Sequence, residues 1–264
     1  MSEKTNLPTI YTLFSGSKGN CAYIKYGDTE ILIDAGMGVR SIGCALKSVG
    51  SSLENISDIF ITHDHSDHTR GLEAICSKFS PRVHITARSA EVIINSQTPN
   101  LREKACIHPT EYTEKVGDIE ISSFQTPHDS KASVGYILKM PYHTVGYATD
   151  IGYISDTVRE ALTGVDSVIL EANHDVDMLL DGNYPEFLKE RILSKKGHLS
   201  NDSAAELASY LAENGTKSFL LAHLSEQNND PEIAFGAVYC ALSNPALRGI
   251  ILKVAEPSVP TRLL

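Results

Sequence analysis

Apolar residues in the first third of the chain fall into short alternating runs broken by glycine-rich turns, a period that predicts β-strands. The runs TIYTLF (9–14), CAYIKY (21–26) and EILIDAG (30–36) are the first three, with SGSKGN (15–20) as a turn. VRSIGCALKSV has helical spacing, DIFIT (58–62) reads as a buried strand, GLEAICSKF is helical again, and RVHIT returns to strand. The middle section, VGDIEISSFQTPHD and SVGYILKMPYHTVGYATD, predicts strands with a hairpin turn near Pro141 to His143. Beyond it helix and strand alternate through SDTVREALTG, DSVILEAN, PEFLKERILS, NDSAAELASYLAEN, KSFLLAHLS, PEIAFGAVYCAL and GIILKVA. Ser200, Asn201 and Asp202 offer capping oxygens for the helix carrying Ala204 to Ala212. Two strand-rich blocks with helices interspersed predict an α/β fold of two facing sheets with helices outside.

Composition narrows this picture. The chain has 264 residues, 42% of them hydrophobic, and shows no linker-like or repetitive stretch, so one domain over 1–264 is expected. The opening MSEKTNLPTIYTLF lacks the layout of a signal peptide, and no apolar run is long enough to span a bilayer. Five scattered cysteines form no CxxC pair, which argues against a disulfide framework or a cysteine-based zinc site and for a reducing cytoplasm. The formal net charge of −10 argues against broad attraction to nucleic acid or acidic lipid, while leaving room for a local basic surface. LKERILSKKGH (188–198) is the densest basic stretch, and on composition alone it reads as a solvated helix face.

The chemistry concentrates in FITHDHSDHTRG (60–71), where His63, Asp64, His65, Asp67 and His68 directly follow the apolar run Ile59-Phe60-Ile61. In an extended segment alternate residues share a face, so His63 and His65 can point at one ion, while Asp67 and His68 turn toward a neighbouring position. Neutral imidazole with carboxylate suits zinc, manganese or iron. A histidine-rich exposed turn is the bland alternative, and so dense a ligand set after a buried strand speaks against it.

HxHxDH, present as His63-Asp64-His65-Ser66-Asp67-His68, is the signature of the metallo-β-lactamase superfamily, and the chain resembles that family. The resemblance implies an αββα sandwich of two facing mixed sheets flanked by helices, with two divalent metal ions (zinc or manganese, with iron a further option) at one edge. By the same resemblance His63, His65 and His128 of FQTPHDS hold one ion. Asp67, His68 and His223 of LLAHLS hold the other, and Asp150 of GYATDIG bridges them. The blocks LFSGSKGNC, LIDAG, HDSKASVGY, ATDIGYIS, LEANHDVDML, YPEFLKERILSKKGHLSN and LAHLSEQNN look like successive segments of the bacterial YycJ/WalJ branch, from about Thr12 to about Ala234. That branch implies a metal-dependent exonuclease acting 5′-to-3′ on DNA. No inserted β-CASP domain is visible.

Roles follow for the remaining residues. His198 in KKGHLSN resembles the histidine of the GHST segment of the tRNase Z family and is the candidate proton donor, with Glu171 of LEANHD to orient it; Asp67 completes the catalytic set. A helix-cap histidine without a role is the alternative for His198. Ser15, Ser17, Lys18 and Asn20 of SGSKGN offer contacts to a phosphate, and His174 and Lys196 are further substrate-binding candidates. For DNA, Arg70, Lys189, Arg191 and Lys195 would extend the basic approach. His84, His108 and His143 read as structural, Asp34 as a support for the metal-bearing loops, and Asp64 as a neighbour of the metal set or solvent-facing. Two other functions compete: hydrolysis of a small phosphodiester, which suits the acidic balance, and a metal-bound regulatory module with little catalysis. The sequence leaves oligomeric state open and gives no sign of a membrane partner.

Overall fold

A computed structural model describes residues 7–244 and 247–264; the expectation about the first six residues of the N-terminus therefore lies outside the described residues. The first sheet contains β1 (Thr9–Phe14), β2 (Cys21–Tyr26), β3 (Thr29–Ile33), β4 (Asp58–Phe60), β5 (Arg82–Thr86) and β6 (Ala105–His108). The second contains β7 (Thr113–Val116), β8 (Ile119–Gln125), β9 (Val134–Met140), β10 (His143–Ala148), β11 (Ser167–Glu171), β12 (Ser218–Ala222) and β13 (Ile251–Val254). A short β14 (Thr261–Arg262) returns to pair with β1, so the sheet orders are 14-1-2-3-4-5-6 and 13-12-11-10-9-8-7. In both sheets an antiparallel part gives way to a parallel part, at β3–β4 in the first and β10–β11 in the second. This is the expected pair of mixed sheets.

The pleat explains why both sheets are buried on two faces. Ile31 and Ile33 of β3 point between the sheets, and Leu32 points to the outer helices. On β12, Leu220 and Ala222 face inward while Phe219 and Leu221 face outward. Three apolar layers result, a central one between the sheets and one beneath each helical coat. The helices are α1 (Val39–Ser48), α2 (Ser66–Thr69), α3 (Leu72–Cys76), α4 (Ala87–Ile93), α5 (Pro99–Lys104), α6 (Asp156–Leu162), α7 (Val176–Asp181), α8 (Glu186–Leu193), α9 (Asn201–Glu213) and α10 (Pro231–Leu242). Ser200 caps α9 by accepting the N–H of Ser203, as the capping pattern predicts. Among the described residues no helix is long and apolar enough to cross a membrane.

The pattern of the chain misses α4, α5, α7, β6, β14 and all but the last residue of β7, and places two strand ends too late. EILIDAG stops pairing at Ile33 and DIFIT at Phe60, because the residues that follow leave the sheets to build loops. The histidine-rich stretch is extended only as far as His65; Asp67 and His68 lie on the one-turn helix α2. Away from the histidine-rich loop, His84 sits between Asp58 at 2.8 Å and His108 at 3.0 Å, and His143 lies 2.9 Å from Ser167.

One hydrogen bond ties the sheets together immediately behind the loop that bears His63. The Tyr136 hydroxyl, on β9, donates to the Ile61 carbonyl at 2.6 Å and lies 3.2 Å from the Tyr112 hydroxyl. Burial pushes the Tyr136 phenol far up, so it remains a donor throughout the accessible pH range. Tyr136→Phe keeps the ring and strands the Ile61 carbonyl, which should cost about 1–3 kcal/mol. Urea denaturation should show a lower midpoint with an unchanged m-value, and an unmoved midpoint would contradict this role.

Candidate metal centre

The site lies where loops leave the strands near the change from antiparallel to parallel pairing. Asp34 follows β3, His63 follows β4, His128 follows β8, Asp150 follows β10, Glu171 ends β11 and His223 follows β12. Asp34, Asp150 and His223 are the three non-glycine residues with positive φ among the described residues, at 62°, 58° and 58°. Left-handed backbone is uncommon for side chains with a Cβ, and three such residues converging on one site store strain there. Gly36 lets two of these loops touch, since a Cβ at that position would lie 1.6 Å from the Asp67 carbonyl oxygen.

Two groups of donors assemble. His63, His65 and His128 form one, with ring centroids 4.5–5.1 Å apart. Asp67, His68 and His223 form the other. Asp150 stands between them, its Oδ2 3.4 Å from His68 Nε2 and its Oδ1 3.7 Å from His128 Nε2. The geometry therefore brings together all seven residues expected to hold metal.

The outer ring of contacts aims these donors. His63 Nδ1 lies 3.0 Å from the Thr62 hydroxyl, and His128 Nδ1 donates to the Gly197 carbonyl at 3.0 Å. His68 Nδ1 lies 2.7 Å from Asp34 Oδ2, and His223 Nδ1 lies 2.8 Å from Glu171 Oε1. Each Nδ1 thus has a partner, which turns each Nε2 inward. The Nε2 atoms of His63, His128 and His223 and Oδ2 of Asp150 are buried without a hydrogen-bond partner. Buried polar atoms without partners cost free energy that a shared cation would recover, and imidazoles braced through the other nitrogen are the usual arrangement around a metal. The donor set fits a pair of divalent ions.

Charge points the same way. Burial would lower the His223 imidazole, but Asp150, Asp67 and Glu171 outweigh it and push its pKa up to about 10. Burial likewise opposes protonation of His68, and Asp150, Asp34 and Asp67 raise it well above the ordinary value. Burial would raise Glu171, whereas His198 and His223 bring it down to about 2. The carboxylates hold a positive charge at this seam, and in the absence of metal protons supply it.

The remaining candidates divide. His198 Nδ1 lies 2.8 Å from Glu171 Oε1, while Glu171 Oε2 accepts the N–H groups of Ile151 and Leu199. His198, Ser17, Asn173, Tyr184, Arg191 and Lys196 line a cavity of about 240 Å³ that opens beside His128. Ser15 and Asn20 do not face that cavity. The Ser15 hydroxyl accepts the His223 N–H at 2.7 Å, and the Asn20 amide reaches His68 Nε2 at 3.0 Å and Asp67 Oδ2 at 3.3 Å, so both brace the donors instead. Lys18 is exposed and paired with Glu226 at 2.6 Å. His174 is buried with both ring nitrogens unpartnered, and burial lowers its pKa to about 4; its carbonyl accepts the Asn201 N–H. Its ring is absent from the cavity wall. Lys189 is buried with its ammonium on the Leu180 carbonyl, which removes it from the basic approach. Asp64 accepts the Lys131 N–H at 3.3 Å. Thr62, Gly197 and Tyr184 were not singled out by sequence; the positions of Thr62 beside the histidine motif and of Gly197 beside His198 were the available signals.

Because bound metal needs neutral imidazole, loading the site should expel the protons that His68 and His223 hold. Calorimetric titration of the metal-free protein with zinc near pH 7, in buffers of different ionisation enthalpy, should show net proton release. Apparent affinity should rise with pH over the same range. Binding with no proton release would contradict the charge balance drawn here.

Comparison with known proteins agrees with this geometry. The family described as "Beta-lactamase superfamily domain" matches residues 29–224. The chain is 34% identical over 252 residues to the exodeoxyribonuclease WalJ of Streptococcus pneumoniae, covering 94% of both chains. It is 30% identical over 254 residues to the exodeoxyribonuclease YycJ of Bacillus anthracis, covering 95% of this chain and 96% of that one. The metallo-β-lactamase fold protein YhfI of Bacillus subtilis superposes with a TM-score of 0.69 at 15% identity, covering 97% of this chain and 100% of the other. The chain therefore belongs to the metallo-β-lactamase superfamily, and within it to the family of WalJ and YycJ.

Proposed function

We propose that this protein is a metal-dependent exodeoxyribonuclease that hydrolyses DNA phosphodiesters from the 5′ end, acting as one domain in a reducing cytoplasm. The observation that carries the reading is the set of inward-facing, unpartnered donor atoms beside His198, an imidazole held by a buried carboxylate. The WalJ and YycJ relatives, named exodeoxyribonucleases, support DNA as the substrate; 5′-to-3′ polarity is what the resemblance of the sequence blocks to that branch implies. Zinc or manganese, with iron a further option, fits the nitrogen-rich donors.

Two divalent ions bound there supply a water of lowered pKa and neutralise charge on the phosphoryl oxygens. His63, His65 and His128 would hold one, Asp67, His68 and His223 the other, with Asp150 shared. His198 is fixed through Nδ1 by Glu171, which leaves Nε2 to give a proton to the leaving oxygen. Ser17 and Lys196 in the cavity wall, with exposed Lys195 next in sequence and exposed Arg70, whose guanidinium donates to the Lys18 carbonyl, are the groups left to meet the phosphate backbone. The cavity of about 240 Å³ is also of a size to take a small phosphodiester, which is the competing reading.

DNA and RNA labelled at either end, and short diesters, should be compared with added manganese or zinc. The proposal expects mononucleotides released from the 5′ end of DNA, and dominant activity on dinucleotide-sized diesters would replace it with the small-molecule reading. His198→Ala should lower turnover on DNA by about 10²–10⁴-fold while a nitrophenyl diester, whose leaving group needs little protonation, loses much less. Equal losses on both substrates would make His198 a phosphate-positioning group.

A further inference from the structure

Next to His128 stands an acid that the HxHxDH pattern does not include. Asp129 Oδ1 lies 3.3 Å from His65 Nε2 and 3.4 Å from His128 Nε2. Donors on one ion with bonds of about 2.0–2.1 Å, at angles between a right angle and the tetrahedral value, lie about 2.9–3.4 Å apart. Both contacts therefore have the spacing of two donors on one ion. His128 already spends its N–H on the Gly197 carbonyl through Nδ1, so in the neutral ring Nε2 is an acceptor. A carboxylate oxygen facing an imidazole acceptor at 3.4 Å is unfavourable unless a cation lies between them, and His128 Nε2 has no hydrogen-bond partner.

The other carboxylate oxygen is held from outside. Arg191, on α8, places Nε 2.6 Å and Nη2 2.5 Å from Asp129 Oδ2. The two guanidinium nitrogens meet a single oxygen, which leaves Oδ1 to the histidines. The loop itself is pinned where the Lys131 N–H reaches Asp64 Oδ1.

We propose that Asp129 is an eighth metal ligand, with Oδ1 completing the ion held by His63, His65 and His128, and that Arg191 is the positioning residue that turns it there. The proposal rests on the two-ion reading of the site. One consequence is an asymmetric pair: one ion has four protein donors besides Asp150, whereas the other has three, Asp67, His68 and His223. The less enclosed ion is then the one that receives a substrate oxygen. A second consequence is that α8, whose Arg191 also lines the cavity, is tied directly to the metal centre.

Manganese titration of the metal-free protein, followed by the paramagnetic resonance of the free ion, tests this without reference to turnover. Wild type should bind two ions. Asp129→Ala should weaken one of them by more than 10-fold and leave the other unchanged. Arg191→Ala, which keeps the carboxylate but frees it, should weaken the same ion by about 10-fold, the lower end of what outer-shell partners contribute. The optical spectrum of the cobalt-loaded Asp129→Ala protein should change as a ligand is lost. Asp129→Asn serves as a second variant should the alanine protein fail to fold by circular dichroism, with the same direction expected. Two manganese ions bound as tightly by both Asp129 variants as by wild type would overturn the Asp129 assignment. Fewer than two ions on wild type would overturn the two-ion reading beneath it, a distinguishable result.

Discussion

Buried negative charge is the constraint on which the structure depends. Asp34, Asp150 and Glu171 are almost wholly removed from water at the seam between the sheets, and Asp67 joins them at its mouth. An ionised carboxylate taken out of water costs several kcal/mol unless it is paired. Every neighbouring feature bears on that cost. Histidines face the carboxylates, backbone N–H groups of Ile151, Leu199 and Thr62 donate to Glu171 and Asp34, and three backbones adopt left-handed conformations to bring the groups together. The fold supplies two rigid sheets whose loops meet at one edge, and the charge of the site then calls for cations.

The same arrangement lets residues remote from the reacting atoms act on them. Glu171 touches both His198 and His223 through one oxygen, so the candidate proton donor and a candidate ligand share an anchor. The Asn20 side-chain amide reaches Asp67 and His68 while its Oδ1 accepts the Gly16 N–H, linking the SGSKGN turn to the α2 donors. Through these contacts Ser15 and Asn20 give that turn a bracing part in the site.

Much of this was legible in the chain, and the parts that were not have physical reasons. β1 and β2 begin and end where alternation predicts, and the αββα arrangement follows from two strand-rich blocks. The short elements escaped because they carry too few residues for periodicity: β14 has two, β6 four, and α7 six. The histidines were visible as a dense local motif. The roles of Ser15 and Lys189 were not, because burial and pairing are tertiary facts; Ser15 meets a residue 208 positions away. Asp129 escaped for another reason, since a lone acid beside a histidine is unremarkable until Arg191 arrives from α8.

Two cations shared by Asp150 would balance the charge of the seam. Anomalous diffraction from crystals grown with zinc or manganese, recorded on both sides of the metal edge, tests it most directly. Two peaks are expected, one among His63, His65 and His128 and one among Asp67, His68 and His223, with the Asp150 carboxylate reaching both. A single peak, or two peaks that Asp150 does not touch, in protein that hydrolyses DNA would contradict it.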